Sequence, residues 1–251
     1  MLRYHVAVVG AVHELDAILR EDVLPRLELF GAPSPPLALP ALRLDETALD
    51  RMLTRARDYV RRIRTSARWP SLALEVAEDV DVHAAEQLRR QVRAATGHDL
   101  LLRLSDIRGS ASRWVHANVE AIAGLNERHL AEVEQLVTTA VVRGVRVEQL
   151  ADEIRARTDV SGSRAAFLAR DQVLRFNAQV TRERQVAAGI TEYDWDSSDD
   201  ERVRPRHEEL HGTRQRWDTA PVVSDDGRRA HPGEDFQCRC IARPVLEGLL
   251  T

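Results

Sequence analysis

Apolar residues recur at helical spacing through most of this chain. In residues 4–30, Val8, Val12, Leu15, Ile18, Leu19 and Val23 fall three and four apart, which predicts an amphipathic helix. Gly31-Ala32-Pro33-Ser34-Pro35-Pro36 ends that pattern and opens a stiff, proline-rich linker over 31–40. Asp45 is placed to cap a second helix over about 46–66, and Pro70 is expected to close it. Residues 71–77 alternate as Ser-Leu-Ala-Leu-Glu-Val-Ala, a pattern that fits a short strand or the opening of a helix. A helix over 82–95 then stops at Gly97.

The longest clean pattern lies at 112–142, where Val115, Val119, Ile122, Leu125, Val133, Leu136 and Ala140 keep one stripe. A stripe of that length favours a bundle or coiled-coil-like packing partner, and it is the expected docking element. Gly144 breaks it. A short helix is predicted over 147–157, a loop over 159–162, and a further helix over about 164–188 capped by Ser161 or Ser163 and stopped by Gly189.

Beyond Gly189 the texture changes. Tyr193 and Trp195 alternate with Asp194 and Asp196 as in a strand, and Asp199 or Asp200 is placed to cap a brief helix through Leu210. Asp225-Asp226-Gly227 reads as a hairpin turn, and Cys238–Val245 as a final strand. The fold class expected is mainly α, an elongated helical body followed by a small α+β C-terminal module. Three regions follow: a helical region over 1–109 containing the linker, a long-helix body over 110–189, and the small module over 190–251.

Composition narrows the function classes. The chain has 251 residues and a formal net charge of −4, so it lacks the bulk basic field that coats duplex DNA. A soluble DNA-binding regulator is disfavoured for that reason and for want of a binding motif. All 36 basic residues are arginine, which excludes mechanisms that need a lysine nucleophile or Schiff base. No segment is apolar for long enough to span a bilayer, so no membrane partner is expected. The run Val6–Val12 after Arg3 lacks a cleavage pattern and continues into the first amphipathic helix, which argues against a secretory signal. Two cysteines one residue apart would close a tiny, strained disulfide loop, so a reducing compartment is expected.

Those two cysteines, Cys238 and Cys240, sit in the most chemically suggestive part of the chain. His207, His211 and His231 precede them. Thiolate and imidazole are the ligands of tetrahedral zinc sites, and a closed four-ligand site is structural. The preferred set is His207, His231, Cys238 and Cys240, with His211 as a spare ligand and zinc as the cofactor. Without a metal, the cysteines read as small buried apolar residues and the histidines as hydrogen-bonded surface groups. The arginines Arg202, Arg204 and Arg206 are candidates for phosphate or partner contacts, or else pair with Asp199, Asp200 and Glu201 nearby. Asp194, Asp196, Asp199, Asp200, His207, Glu208 and His211 also permit a metal-dependent nuclease. No Gly-rich phosphate loop, nucleophile elbow or His-Glu-x-x-His supports an enzyme.

The C-terminal half resembles the phage head-morphogenesis family of Mu F-like minor head proteins, over about residues 110–245. The matching stretches run in order. Ala165–Arg184, with Arg170, Asp171, Asn177 and Arg184, resembles the family's arginine- and asparagine-bearing helix. Ala188-Gly189-Ile190 with Tyr193 and Trp195 follows. Then come Asp199, Arg202, Arg204, His207, Leu210 and Gly212, and finally His231-Pro232, Cys238-Arg239-Cys240 and Pro244. One departure is Asp171-Gln172, where the family commonly has Thr-Glu.

The resemblance implies a non-enzymatic minor capsid protein that docks at the portal or the inner capsid wall during head assembly. Its expected partners are the portal protein and the major capsid protein, with packaged double-stranded DNA as a further contact. Its expected place is the virion interior near the portal, after assembly in the host cytoplasm. The alternative is a packaged effector enzyme, a metal-dependent nuclease or a transferase.

Overall fold

Six helices and three short strands form among the residues described, which in this computed structural model are 2–25, 46–97, 106–143 and 147–247. In chain order they are α1 (Leu2–Asp22), α2 (Glu46–Thr65), α3 (Arg68–Thr96), α4 (Arg108–Arg143), α5 (Val147–Ala187), β1 (Glu192–Asp196), α6 (Pro205–Glu209), β2 (Arg214–Arg216) and β3 (Ile241–Pro244). The protein is mainly α with a small α+β C-terminal module, as the periodicity predicts. The proline-rich linker, Asp45 and Gly144 lie outside the described residues.

Two helices run through places where the sequence predicts a break. Pro70 does not close α2. It sits in the first turn of α3, where a missing backbone N–H costs nothing, and α3 takes in both the alternating 71–77 segment and the predicted 82–95 helix. α5 continues for 41 residues through Asp159–Gly162. Ser161 does not cap a helix there. It is buried, and its hydroxyl lies 3.0 Å from Nδ1 of His129 on α4. Tertiary partners hold the helix where local propensity is weakest.

The chain divides into two compact units, Met1–Pro70 with Ala117–Ala169, and Ser71–His116 with Arg170–Thr251. In the first unit, Leu15 and Leu19 of α1, Leu53, Ala56 and Val60 of α2, Leu130, Val133, Val137 and Ala140 of α4, and Leu150 and Ile154 of α5 share one core. Val119 and Val133 are therefore buried inside the protein's own fold, and the expected docking stripe is not free for a partner. Asp16 enters this unit's interior with partners: it accepts a hydrogen bond from Thr158 at 2.6 Å and pairs with Arg20 at 2.7 Å.

In the second unit the three strands form an antiparallel sheet in the order β2-β1-β3, with Tyr193 opposite Gln215 and Pro244 and with Trp195 opposite Ala242. Strand alternation turns Tyr193 and Trp195 into the core and leaves Glu192, Asp194 and Asp196 partly exposed. Around them pack Trp217, Val223, Ala230, Cys238, Cys240 and Ala242. Trp114 stacks on Phe176 with ring centroids 4.8 Å apart, and its indole N–H donates to the Gln172 carbonyl at 3.0 Å. The Arg184 side chain is 3% exposed and pairs with Asp81 of α3. Removing either partner of such a pair leaves a buried or half-buried charge uncompensated.

Candidate metal centre

The module folds around a short helix and a loop that converge. Pro205 opens α6 at its first turn, where its fixed φ suits a helix start, and the five-residue helix turns His207 into the interior. His207 is 2% exposed and meets Trp195 edge to face at 5.4 Å. On the other side, the chain from His231 to Cys240 is irregular and runs into β3 at Ile241, so the two cysteines lie in a loop and not on the predicted strand.

Three contacts shape that loop. Gly233 has φ +83, and a Cβ built there would lie 2.7 Å from the Ala178 Cβ on α5, so only glycine fits both the left-handed turn and the close approach. Its N–H donates to the Cys238 sulfur at 3.3 Å. Gln237, with φ 50, is held by its own N–H, which donates to Asp171 Oδ1 at 2.7 Å. Asp171, the residue that departs from the family pattern, thus fixes the backbone just before Cys238.

His207, Cys238 and Cys240 come together, and they are the metal-ligand group of three or more such residues found among the described residues. Nδ1 of His207 lies 3.4 Å from the Cys238 sulfur and 3.5 Å from the Cys240 sulfur. Zinc–nitrogen bonds of about 2.0–2.1 Å and zinc–sulfur bonds of about 2.3 Å at tetrahedral angles imply a nitrogen–sulfur edge of roughly 3.6 Å. The donor set fits zinc in both chemistry and spacing. The Cys238 thiol is drawn well below its usual range because Cys240 donates its S–H to it, with His207 and the N–H groups of Gly233 and Cys240 adding against the opposing effect of burial. Cys240 is pushed up in turn, by that same hydrogen bond and then by burial. Thiolate is the form that binds metal, and the contact between the two sulfurs favours it at the pair.

The other predicted residues lie elsewhere. His231 is not in this group: its Nδ1 lies 2.9 Å from the Tyr193 hydroxyl, and its ring packs 4.9 Å from that of Trp217. Burial keeps its imidazole below the usual histidine range. His211 lies past the end of α6, half exposed, accepting the Ser197 N–H at 3.1 Å. Arg204, itself exposed, pairs with buried Asp235, Arg206 pairs with Asp225 and Glu209, and exposed Arg202 donates its backbone N–H to Asp200.

Three of the five carboxylates of the nuclease reading pair with arginines: Asp194 with Arg214, Asp196 with Arg243 and Asp200 with Arg239. A half-open cavity of about 580 Å³ in this unit is lined by Arg182, Val186, Ile190, Thr191 and Trp217, not by the cluster. Asp235 is the residue the sequence analysis missed. Only its place three residues before Cys238 could have singled it out.

Comparison with known proteins agrees with the ordered motifs. Residues 131–243 match the family described as Phage Mu protein F like protein. An uncharacterized protein of Haemophilus influenzae is 34% identical over 172 residues, which is 67% of this chain and 37% of that protein. The chain thus spans a little over a third of that relative's length. No solved structure matches. No helix among the described residues is long and apolar enough to cross a membrane.

Proposed function

From a chain that is Mu F-like over residues 131–243, we propose a minor head component of a phage particle, docking at the portal or the inner capsid wall during head assembly. The observation that carries the reading is the extent of that match. It begins within α4 and ends in β3, so it takes in α5, the whole sheet and the cysteine loop as one ordered stretch. A match of that kind supports a phage head-related, structural protein. The portal protein or the major capsid protein as partner, and contact with packaged double-stranded DNA, are the finer parts of the proposal. With the α4 stripe consumed by the chain's own core, docking falls to other surfaces.

In this reading the His/Cys cluster is a staple. Zinc held by His207 Nδ1 and the sulfurs of Cys238 and Cys240 would tie α6 to the loop that precedes β3. A sheet with strands of 5, 3 and 4 residues needs such a tie more than a helical core does. With His231 turned to Tyr193, three protein ligands replace the closed four-ligand set that the sequence predicts, and the fourth corner of the tetrahedron falls to a water or to a group from a docking partner.

The test is quantitative mass spectrometry of purified heads from cells infected with the phage that encodes this chain. The chain should be present in low copy number and should co-fractionate with the portal. Its absence from complete, infectious particles would contradict the proposal.

A further inference from the structure

Asp235 is not one of the candidate ligands, yet it is the most deeply buried carboxylate beside them, with a side chain 2% exposed. Its Oδ1 takes the Phe236 N–H at 2.9 Å and the guanidinium of Arg228. Its Oδ2 faces Arg204 at 3.4 Å and His207 Nε2 at 3.3 Å. Both Oδ2 and Nε2 are buried without a hydrogen-bond partner. These two buried polar atoms are of complementary type and face each other, and one hydrogen bond between them relieves the desolvation cost of both.

The imidazole therefore has two distinct ends. Nδ1 faces two sulfurs and Nε2 faces a carboxylate. A neutral imidazole that offers the Nδ1 lone pair to a metal must carry its proton on Nε2, and a carboxylate is the acceptor that fixes this tautomer. We infer that Asp235 is a positioning residue of the metal centre: it accepts the Nε2–H of His207, sets the ring's orientation, and is itself held by Arg204 and Arg228. This inference rests on the metal reading of the cluster.

A cysteine–histidine–aspartate catalytic triad would have the same order of atoms. Two features separate the cases. Nδ1 sits at nearly equal distances from two sulfurs, where a catalytic dyad needs one, and Cys238 is only 4% exposed, where a nucleophile needs access.

The experiment measures zinc affinity of the full chain by competition with a chromophoric chelator, for wild type, Cys238→Ser and Asp235→Asn. Wild type should bind one zinc, Cys238→Ser should lose it, and Asp235→Asn should bind about 10- to 100-fold more weakly. Wild-type affinity in Asp235→Asn, with zinc lost in Cys238→Ser, would remove Asp235 from the centre and leave the metal reading standing. No zinc binding by wild type would overturn both. Should Asp235→Asn fail to fold, nitrogen-15 spectra of histidine-labelled, zinc-loaded wild type decide the matter, with His207 assigned from a His207→Gln sample. A metal-bound Nδ1 with a protonated Nε2 is expected, and the opposite tautomer would overturn the inference.

Discussion

The first unit and the C-terminal sheet module solve the same problem with different materials. In the first, α1, α2, α4 and α5 are long, and each lays an aliphatic stripe into a shared core of Leu, Val, Ile and Ala. Such a core needs no special chemistry, because long helices satisfy their own backbones and bury apolar area at every turn. The module has three short strands and a core in which Tyr193, Trp195 and Trp217 do most of the filling and Cys238 and Cys240 complete it. Its irregular connections are held by side chain to backbone bonds, such as Asp171 to Gln237 and Arg182 to the Trp217 carbonyl. A small aromatic core with buried histidine and cysteine has fewer ways to lose a group and survive. The contrast teaches where a metal would matter, in the module and not in the helices.

That contrast can be broken most strongly in the helical core. Val133 is fully buried among four helices, so Val133→Asp places an unpaired charge there. The expected loss is at least about 4 kcal/mol, a large share of an ordinary domain's stability. Thermal melting followed by circular dichroism should show early loss of helix. A melt unchanged from wild type would mean that this core does not hold the unit.

Cys238→Ser should act on the other side of the comparison. The module should become open to limited proteolysis between residues 190 and 247, while most of the helical signal survives. Protection equal to wild type would show that the module stands on its aromatic core alone.

A smaller effect is expected from Gly233→Ala. The new methyl would meet the Ala178 Cβ at 2.7 Å in a backbone with φ +83, at a cost of about 2–4 kcal/mol from the strained turn and the overpacking together. Denaturant unfolding followed by tryptophan fluorescence reads it, since Trp195 and Trp217 lie in the module core. A change under about 0.5 kcal/mol would mean that the loop can move off α5 without loss.

Much of the helical architecture was legible in residue spacing, because an amphipathic stripe is a physical requirement and not a statistical habit. Its errors have a common cause. Ser161-Gly162 looked like a loop because both residues favour breaks, yet Ser161 finds His129 in the core, and a Cβ at Gly162 would lie 3.3 Å from the His13 Nε2. Pro70 looked like a stop because local rules do not say whether a proline ends one helix or begins the next.

The site was legible in part through ligand chemistry, which brings forward His207, Cys238 and Cys240. His231 looked equivalent by sequence distance, but the loop gives its ring to Tyr193 and Trp217. Asp235 was invisible, because its significance lies in which atom it faces. Asp171 stood out only as a departure from a family pattern, and its role appears once its carboxylate is seen on the Gln237 amide.

The central claim is that His207, Cys238 and Cys240 hold a zinc ion that the small module depends on. Elemental analysis of the full chain, purified without chelator and separated by gel filtration, tests it most directly. About one zinc per folded chain is predicted, falling to none in Cys238→Ser. A folded, protease-resistant wild-type module free of zinc and of every other transition metal would contradict the account.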